Sequence, residues 1–324
     1  MQRPRVFASR SLPGSALQRL GAEVELQIWE GSLPPTPAEL AQACADCEAL
    51  LCLLTDRIDQ SLLDAAPSLR VISSCSVGVD HVDLSALADR RIPLGHTPHV
   101  LTDATADLTL ALMLAACRRL PEAEAFVRSG QWTPERRWEP DMLLGRELRD
   151  ATLGLIGLGP IGQAVARRAQ GFGMRILGWT PSGRKVAGVE SRSLEELLEE
   201  ADILSLHLAL TPETRHVIHA GTFQRMRPEA LLINTARGPL VDEAALLQAL
   251  NSGQIAGAAL DVFEAEPIGA DHPLLQHPRV LVAPHIGSAT ASTRARMADM
   301  AVDNLLAGLR AEPMPHCANP GAWT

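Results

Sequence analysis

Arg237, Glu266 and His285, in "INTARGPLVDE", "LDVFEAEP" and "VLVAPHIGSAT", are of the types that a proton-coupled reduction of a carbonyl uses. Each follows a short apolar run in the second half of the chain. A guanidinium holds a carboxylate through two parallel hydrogen bonds and polarises a neighbouring carbonyl. An imidazole hands a proton to the carbonyl oxygen as a hydride reaches the carbon. A carboxylate beside the ring favours its protonated form and fixes its orientation. Taken singly, each residue has a bland reading: an arginine capping a turn, a surface glutamate, a histidine bonded to backbone. Together, behind a nucleotide-binding turn, they point to reduction of a 2-oxo acid, with Arg237, Glu266 and His285 as the catalytic set.

That turn is in "TLGLIGLGPIGQAVARR", where Gly157-x-Gly159-x-x-Gly162 follows a strand-like run and opens a helix-like one. In such a context Gly157 makes the tight turn, Gly159 lets backbone approach a pyrophosphate, and Gly162 allows close helix–strand packing. Pro160 suits the first position of a helix, and with Ile161 it completes the turn whose N–H groups meet the phosphates. An acid about 20 residues further on would grip the ribose hydroxyls of NAD. "GWTPSGRK" instead offers Thr180, Ser182, Arg184 and Lys185, the last being the chain's only lysine among 29 basic residues. Without the acid a ribose 2′-phosphate meets no repulsion, and two cations and a hydroxyl can hold it. The alternative is a solvated basic turn with no such preference. The residues therefore predict NADPH as the preferred cofactor, with NADH still usable.

These groups need a scaffold that brings distant segments to one edge. Short apolar runs alternate with helix-like stretches, the pattern of an α/β protein with parallel sheets. Strands are expected over 5–8, 24–28, 49–54, 70–73 and 92–94, and a second series over 153–156, 175–179, 203–208, 230–234, 256–261 and 280–283. Six strands in the second series make a full Rossmann sheet. Helices are expected over 102–118, from Pro121 to Gly130, and over 289–309. The segment 131–145, with two tryptophans and two prolines, reads as an exposed loop. The fold class expected is a Rossmann-type doubly wound parallel sheet inserted into a smaller flavodoxin-like α/β domain. Residues 1–98 and 288–324 would form the substrate-binding domain, and 99–287 the dinucleotide-binding domain.

The 324 residues suffice for two domains with buried cores. A net charge of −9 argues against nucleic acid or an anionic membrane as partner. No apolar run reaches the ~20 residues of a membrane span. "MQRPRVFAS" has no signal-peptide core, and "GAWT" matches no common targeting tail, so a cytoplasmic protein is expected. The six cysteines lack metal-ligand spacing beyond Cys44-x-x-Cys47 and read as reduced structural thiols; no metal is expected.

"GLGPIGQAVARR", "NTARGPLVDEAALLQAL", "GAALDVFEAEP" and "PHIGSAT" resemble the signature segments of the D-isomer-specific 2-hydroxyacid dehydrogenases, a likeness covering nearly the whole chain. "LLTDRIDQSLLDAA", "SVGVDHVDL", "TPHVLTDATADL", "CRRLPEA" and "NLLAGLRAEPMP" resemble the glyoxylate/hydroxypyruvate reductase branch of that family. The resemblance implies reduction of glyoxylate and hydroxypyruvate to glycolate and D-glycerate, again with Arg237, Glu266 and His285 as the catalytic set. It implies that Val77 and Gly78 give backbone N–H groups to the substrate carboxylate, with Ser288 also at the substrate. Thr105, Thr235, Asp261 and Gly287 would line the nicotinamide half of the cofactor. It implies a homodimer joined through the nucleotide domains. "WEPDMLLG" looks like the loop that reaches into the partner's substrate cleft, which would make Trp138 a substrate-binding residue supplied by the partner; a tryptophan folded onto its own domain is the alternative. Two departures stand out: Pro160 replaces an arginine common in the family, and Asp107 replaces a glutamate.

Other readings remain open on sequence. One keeps the enzyme class and changes the substrate to lactate, phosphoglycerate or phosphite. The other is a cofactor-sensing binding protein, like the transcriptional corepressors that share this fold.

Overall fold

The computed structural model describes residues 3–323. The chain divides into two compact units, one made of the described residues up to Leu101 and from Ser288, the other of Thr102–Gly287. The first crossing lies three residues beyond position 98, because Val100 and Leu101 pack into the core of the first unit.

The first unit holds a parallel sheet of β1 (Arg5–Ala8), β2 (Glu25–Ile28), β3 (Ala49–Cys52), β4 (Val71–Ser74) and β5 (Leu94–Gly95) in the order β2-β1-β3-β4-β5. This is the flavodoxin-like order. The central strands β3 and β4 are buried at every position, as sheets covered on both faces require. The helix Ala291–Leu309 covers one face, burying Met297, Ala298, Ala301, Val302 and Leu305 in one cluster with strand residues Val6, Ala49 and Val71. The C-terminal segment thus completes the core begun by the N-terminal one. All six cysteines are free thiols and five are buried. Burial raises the Cys44 and Cys52 thiols far above their ordinary value and Cys75 to about 12, so these are packing residues and not nucleophiles.

The second unit holds β6 (Thr152–Ile156), β7 (Arg175–Trp179), β8 (Glu190–Ser191), β9 (Ile203–Leu206), β10 (Leu231–Asn234), β11 (Gly257–Leu260) and β12 (Val280–Val282), all parallel, in the order β12-β11-β10-β9-β6-β7-β8. The sheet has seven strands where six were expected. The added β8 is two exposed residues on the edge, too short and too polar to carry a periodic signal. It is held by ion pairs: Glu190 bonds Arg175 on β7 at 2.8 Å and Arg192 at 3.0 Å. Several expected strands are also trimmed by one or two residues, as over 203–208, because their last residues leave the ladder to form the functional edge.

The helix Thr102–Cys117 packs beside Pro160–Gln170 over a shared core of Met113, Leu153, Leu155 and Val165. Truncating a wholly buried leucine such as Leu155 to alanine would cost about 2–5 kcal/mol. Arg168 adds bonds to Asp103 at 2.9 Å and Asp107 at 2.6 Å. Asp107 is thus used to join two helices. None of the described helices is long and apolar enough to cross a membrane.

Candidate active site

Strand register decides which residues meet. Trp179, Ile156, Leu206, Asn234, Leu260 and Val282 are paired one to the next across the second sheet. The residues that follow them, Thr180, Gly157, His207, Thr235, Asp261 and Ala283, therefore form a row along the carboxyl edge. The chain winds outward in opposite directions from β6 and β9, so the crevice between those two strands is where a doubly wound sheet takes its ligand.

Gly157 and Gly162 build that crevice. Gly157 has φ +102°, and a Cβ there would lie 2.5 Å from the His207 carbonyl oxygen. A Cβ on Gly162 would lie 2.2 Å from the Gly157 oxygen, so the helix begins hard against the turn. Gly159, by contrast, has nothing within 4 Å of its missing Cβ: it caps Pro160–Gln170 and faces open space. Two closed positions and one open one leave a helix N-terminus accessible to a pyrophosphate, which is the fit a dinucleotide needs.

His207 is a residue the sequence reasoning passed over. Its Nε2 lies 2.9 Å from Ser205 Oγ, and burial lowers the ring to about 3, so it stays neutral beside the turn. Its position immediately after β9 was the available signal.

Beyond β7, Thr180 Oγ1 accepts from Arg184 N at 3.0 Å and lies 3.3 Å from Ser182 Oγ. The Gly183 N–H returns to the Thr180 carbonyl at 3.0 Å with φ +66° at the glycine. The threonine thus shapes the turn that carries Arg184 and Lys185 at the surface.

The candidate catalytic residues Arg237, Glu266 and His285 lie on three neighbouring loops of this unit. His285 Nδ1 is 2.6 Å from Glu266 Oε2. A carboxylate can only accept, so Nδ1 carries the hydrogen and Nε2 is left for chemistry. The Phe263 N–H donates to Glu266 Oε1 at 3.0 Å and fixes the other oxygen. Burial raises the Glu266 carboxyl, but the hydrogen bonds from His285 and Phe263 and the charges of His285 and Arg237 outweigh it, leaving it below the usual glutamate range.

His285 itself has φ +52°, a conformation that costs a non-glycine residue about 1–2 kcal/mol. Asp261 offsets this. Its carbonyl accepts from the His285 N–H at 2.8 Å, and its buried carboxylate accepts from the Ile286 and Gly287 N–H groups, both at 2.8 Å. Burial pushes this carboxyl up despite those donors, which marks it as desolvated. Asp261, expected only as a neighbour of the nicotinamide, also holds the histidine turn in place. Thr105 Oγ1 donates to the Gly287 carbonyl at 3.2 Å, and Thr109 Oγ1 lies 2.8 Å from Thr235 Oγ1, so Thr105, Thr235, Asp261 and Gly287 form one polar cluster.

Arg237 stands on the turn after β10, which Asn234 closes: its Nδ2 donates to the Arg237 carbonyl at 2.8 Å and its Oδ1 accepts from Ala236 N at 3.0 Å. Asn234 was also missed, and its burial at the end of β10 explains its use. A Cβ on Gly238 would lie 1.8 Å from the Phe263 carbonyl carbon, so the arginine turn and the Glu266 loop touch backbone to backbone. Gly238→Ala is therefore expected to cost about 1–3 kcal/mol through overpacking. It should lower the thermal midpoint by several degrees and reduce kcat. An unchanged midpoint and kcat would show that the two loops separate freely.

Val77 and Gly78 follow β4 in the first unit, where the Gly78 carbonyl accepts from Ser76 Oγ at 2.7 Å and the Val77 carbonyl is 3.1 Å from His96 Nδ1. Ser288 opens the return of the chain to that unit. Trp138 is 78% exposed, so it does not fold onto its own unit.

The second unit matches the family model described as the NAD binding domain of D-isomer specific 2-hydroxyacid dehydrogenase, over residues 110–287. The chain is 46% identical over 321 residues to a glyoxylate reductase of Korarchaeum cryptofilum, covering 98% of this chain and 96% of that protein. A solved protein of Thermus thermophilus matches with TM-score 0.91 and 47% identity, over 97% of this chain and 99% of the other. An NADPH-dependent glyoxylate/hydroxypyruvate reductase of Sinorhizobium meliloti, solved with NADP and malonate, matches with TM-score 0.88 and 36% identity over 99% and 98% of the two chains.

Proposed function

Since the chain belongs to the D-isomer-specific 2-hydroxyacid dehydrogenases, NAD(P)-dependent oxidoreductases acting on CH–OH groups, we propose that it reduces glyoxylate and hydroxypyruvate with NADPH. The products are glycolate and D-glycerate. The observation that carries this reading is the 2.6 Å contact of His285 with Glu266, two loops of one sheet edge brought together beside the Arg237 turn. When bound, the nicotinamide supplies the hydride. Gly157, Gly159, Pro160, Ile161 and Gly162 hold the pyrophosphate, and Thr105, Thr235, Asp261 and Gly287 line the nicotinamide half. Arg237 holds the substrate carboxylate and polarises the carbonyl. His285, oriented by Glu266, gives its Nε2 proton to the carbonyl oxygen, and a negative oxygen never has to exist free in the site.

A panel of 2-oxo acids with NADPH and NADH tests the proposal. Glyoxylate and hydroxypyruvate with NADPH are expected to give the highest kcat/KM. Faster turnover of a bulkier acid, or oxidation of phosphite with NAD+ or NADP+, reassigns the substrate, and binding of cofactor without turnover of any acid favours the corepressor-like alternative.

A homodimer is part of this reading. Leu120, Val127, Trp132, Trp138 and Leu144 all expose apolar surface between positions 120 and 145 of the second unit. So many exposed apolar side chains within one stretch of chain favour a partner surface, and Trp138 is taken to reach the partner's substrate site. Trp138→Ala should raise kcat/KM for larger 2-oxo acids relative to glyoxylate by about 1–3 kcal/mol, roughly ten- to 200-fold. It should also weaken the dimer in sedimentation, since tryptophans anchor interfaces. An unchanged substrate ranking and an equally tight dimer would leave the indole without either role.

A further inference from the structure

The helix Pro160–Gln170 and the loop after β7 enclose a cleft of about 490 Å³. Gln170 Nε2 donates to the Gly188 carbonyl at 2.9 Å and ties the loop to the helix, while Val186 and Val189 pack on the core beneath. Three cations line the cleft: Arg167 from the helix, and Arg184 and Lys185 from the loop. Their neighbours are neutralised. Arg168 is bonded to Asp103 and Asp107, and Arg175 and Arg192 share Glu190 and Glu200 at 2.7–3.0 Å. Among the described residues no carboxylate forms an ion pair with Arg167, Arg184 or Lys185, and none of the three has a partner outside the hydrogen bonds already given. In a chain of net charge −9, acids are abundant, yet these three cations face one concavity without any. Their mutual repulsion is relieved by an anion bound between them.

We propose that this cleft receives a phosphate monoester dianion, the ribose 2′-phosphate of NADP, and that Arg167 is a specificity-determining residue for it alongside Arg184 and Lys185. The inference rests on the NADPH reading and adds a cation from the opposite wall of the cleft. A phosphate held from both walls is gripped by helix and loop at once, whereas the loop alone is an exposed turn. Nothing in the motif around Thr180 points to Arg167, which lies in the body of the helix.

Titration of the wild type, Arg167→Ala and Arg184→Ala with 2′,5′-ADP, 5′-AMP and inorganic phosphate tests this. The wild type should bind 2′,5′-ADP at least about tenfold more tightly than 5′-AMP. Arg167→Ala should reduce that ratio by about three- to tenfold, as expected for one exposed charged contact. It should leave 5′-AMP binding and the thermal midpoint unchanged, and flatten the salt dependence of 2′,5′-ADP binding. Full retention of the ratio in Arg167→Ala, with loss in Arg184→Ala, overturns the role of Arg167 and leaves the NADPH reading standing. Arg167-dependent binding of inorganic phosphate with no change in the nucleotide ratio makes the cleft a free-phosphate site and also overturns the proposal. A wild type that does not distinguish the two nucleotides removes the NADPH reading and this inference with it.

Discussion

His285→Ala is expected to cut kcat by about 10²–10⁴-fold while the nucleotide still binds. The imidazole is the proposed proton donor, and its Nδ1 is already committed to Glu266 at 2.6 Å. Its removal takes away the proton donor without touching the glycine turn, so the loss should fall on kcat, with cofactor affinity little changed. Nucleotide titration beside steady-state kinetics separates the two. A variant that keeps more than about a tenth of the wild-type kcat would show that the proton comes from elsewhere.

Glu266→Gln gives the same hypothesis a pH signature. The carboxylate favours the protonated ring, so its neutral replacement should move the alkaline limb of kcat/KM to lower pH. The native carboxyl titrates below the usual glutamate value, so in the wild type the charge is present above that point and is lost only as pH falls through it. The substitution should therefore act on the alkaline side, and an unmoved alkaline limb would dissociate Glu266 from the proton transfer.

Arg184→Ala should weaken NADPH by roughly ten- to hundredfold, the equivalent of about 1.5–3 kcal/mol for a charged phosphate contact, and change NADH little. Arg184 is exposed, which places the expectation toward the lower end. The backbone of the residue remains in the variant, so the hydrogen bond from its N–H to Thr180 Oγ1 and the shape of the turn are kept. A loss confined to NADPH would therefore report the guanidinium itself. Equal kcat/KM for NADPH and NADH in the wild type would end the assignment.

The sequence by itself determined the parts whose causes are local. A glycine at φ +102° between a buried strand and a helix start is dictated within six residues, so the Gly157 turn was legible. The buried runs of β3, β4 and β6 were legible too, because strands covered on both faces read as short runs of apolar and small residues. The absence of an acid at Thr180, and the residue types of Arg237, Glu266 and His285, needed no coordinates.

Tertiary structure alone decided which of these groups meet. Strand order and register join residues far apart in the chain, and both follow from packing on two faces of a sheet, which no local pattern encodes. The pairing of His285 with Glu266 depends on the adjacency of β11 and β12 and on a turn at φ +52° held by Asp261. His207 entered the site because β9 lies beside β6 at the point where the sheet reverses, and Arg167 faces Lys185 because Gln170 fastens the loop to its helix. Trp138 was legible as an aromatic in a polar loop, but only its exposure in the folded unit showed that its own domain does not cover it. Sequence thus supplied the chemistry residue by residue. Proximity came from long-range packing, where the energy of burying both faces of a sheet overrides the preferences of any short segment.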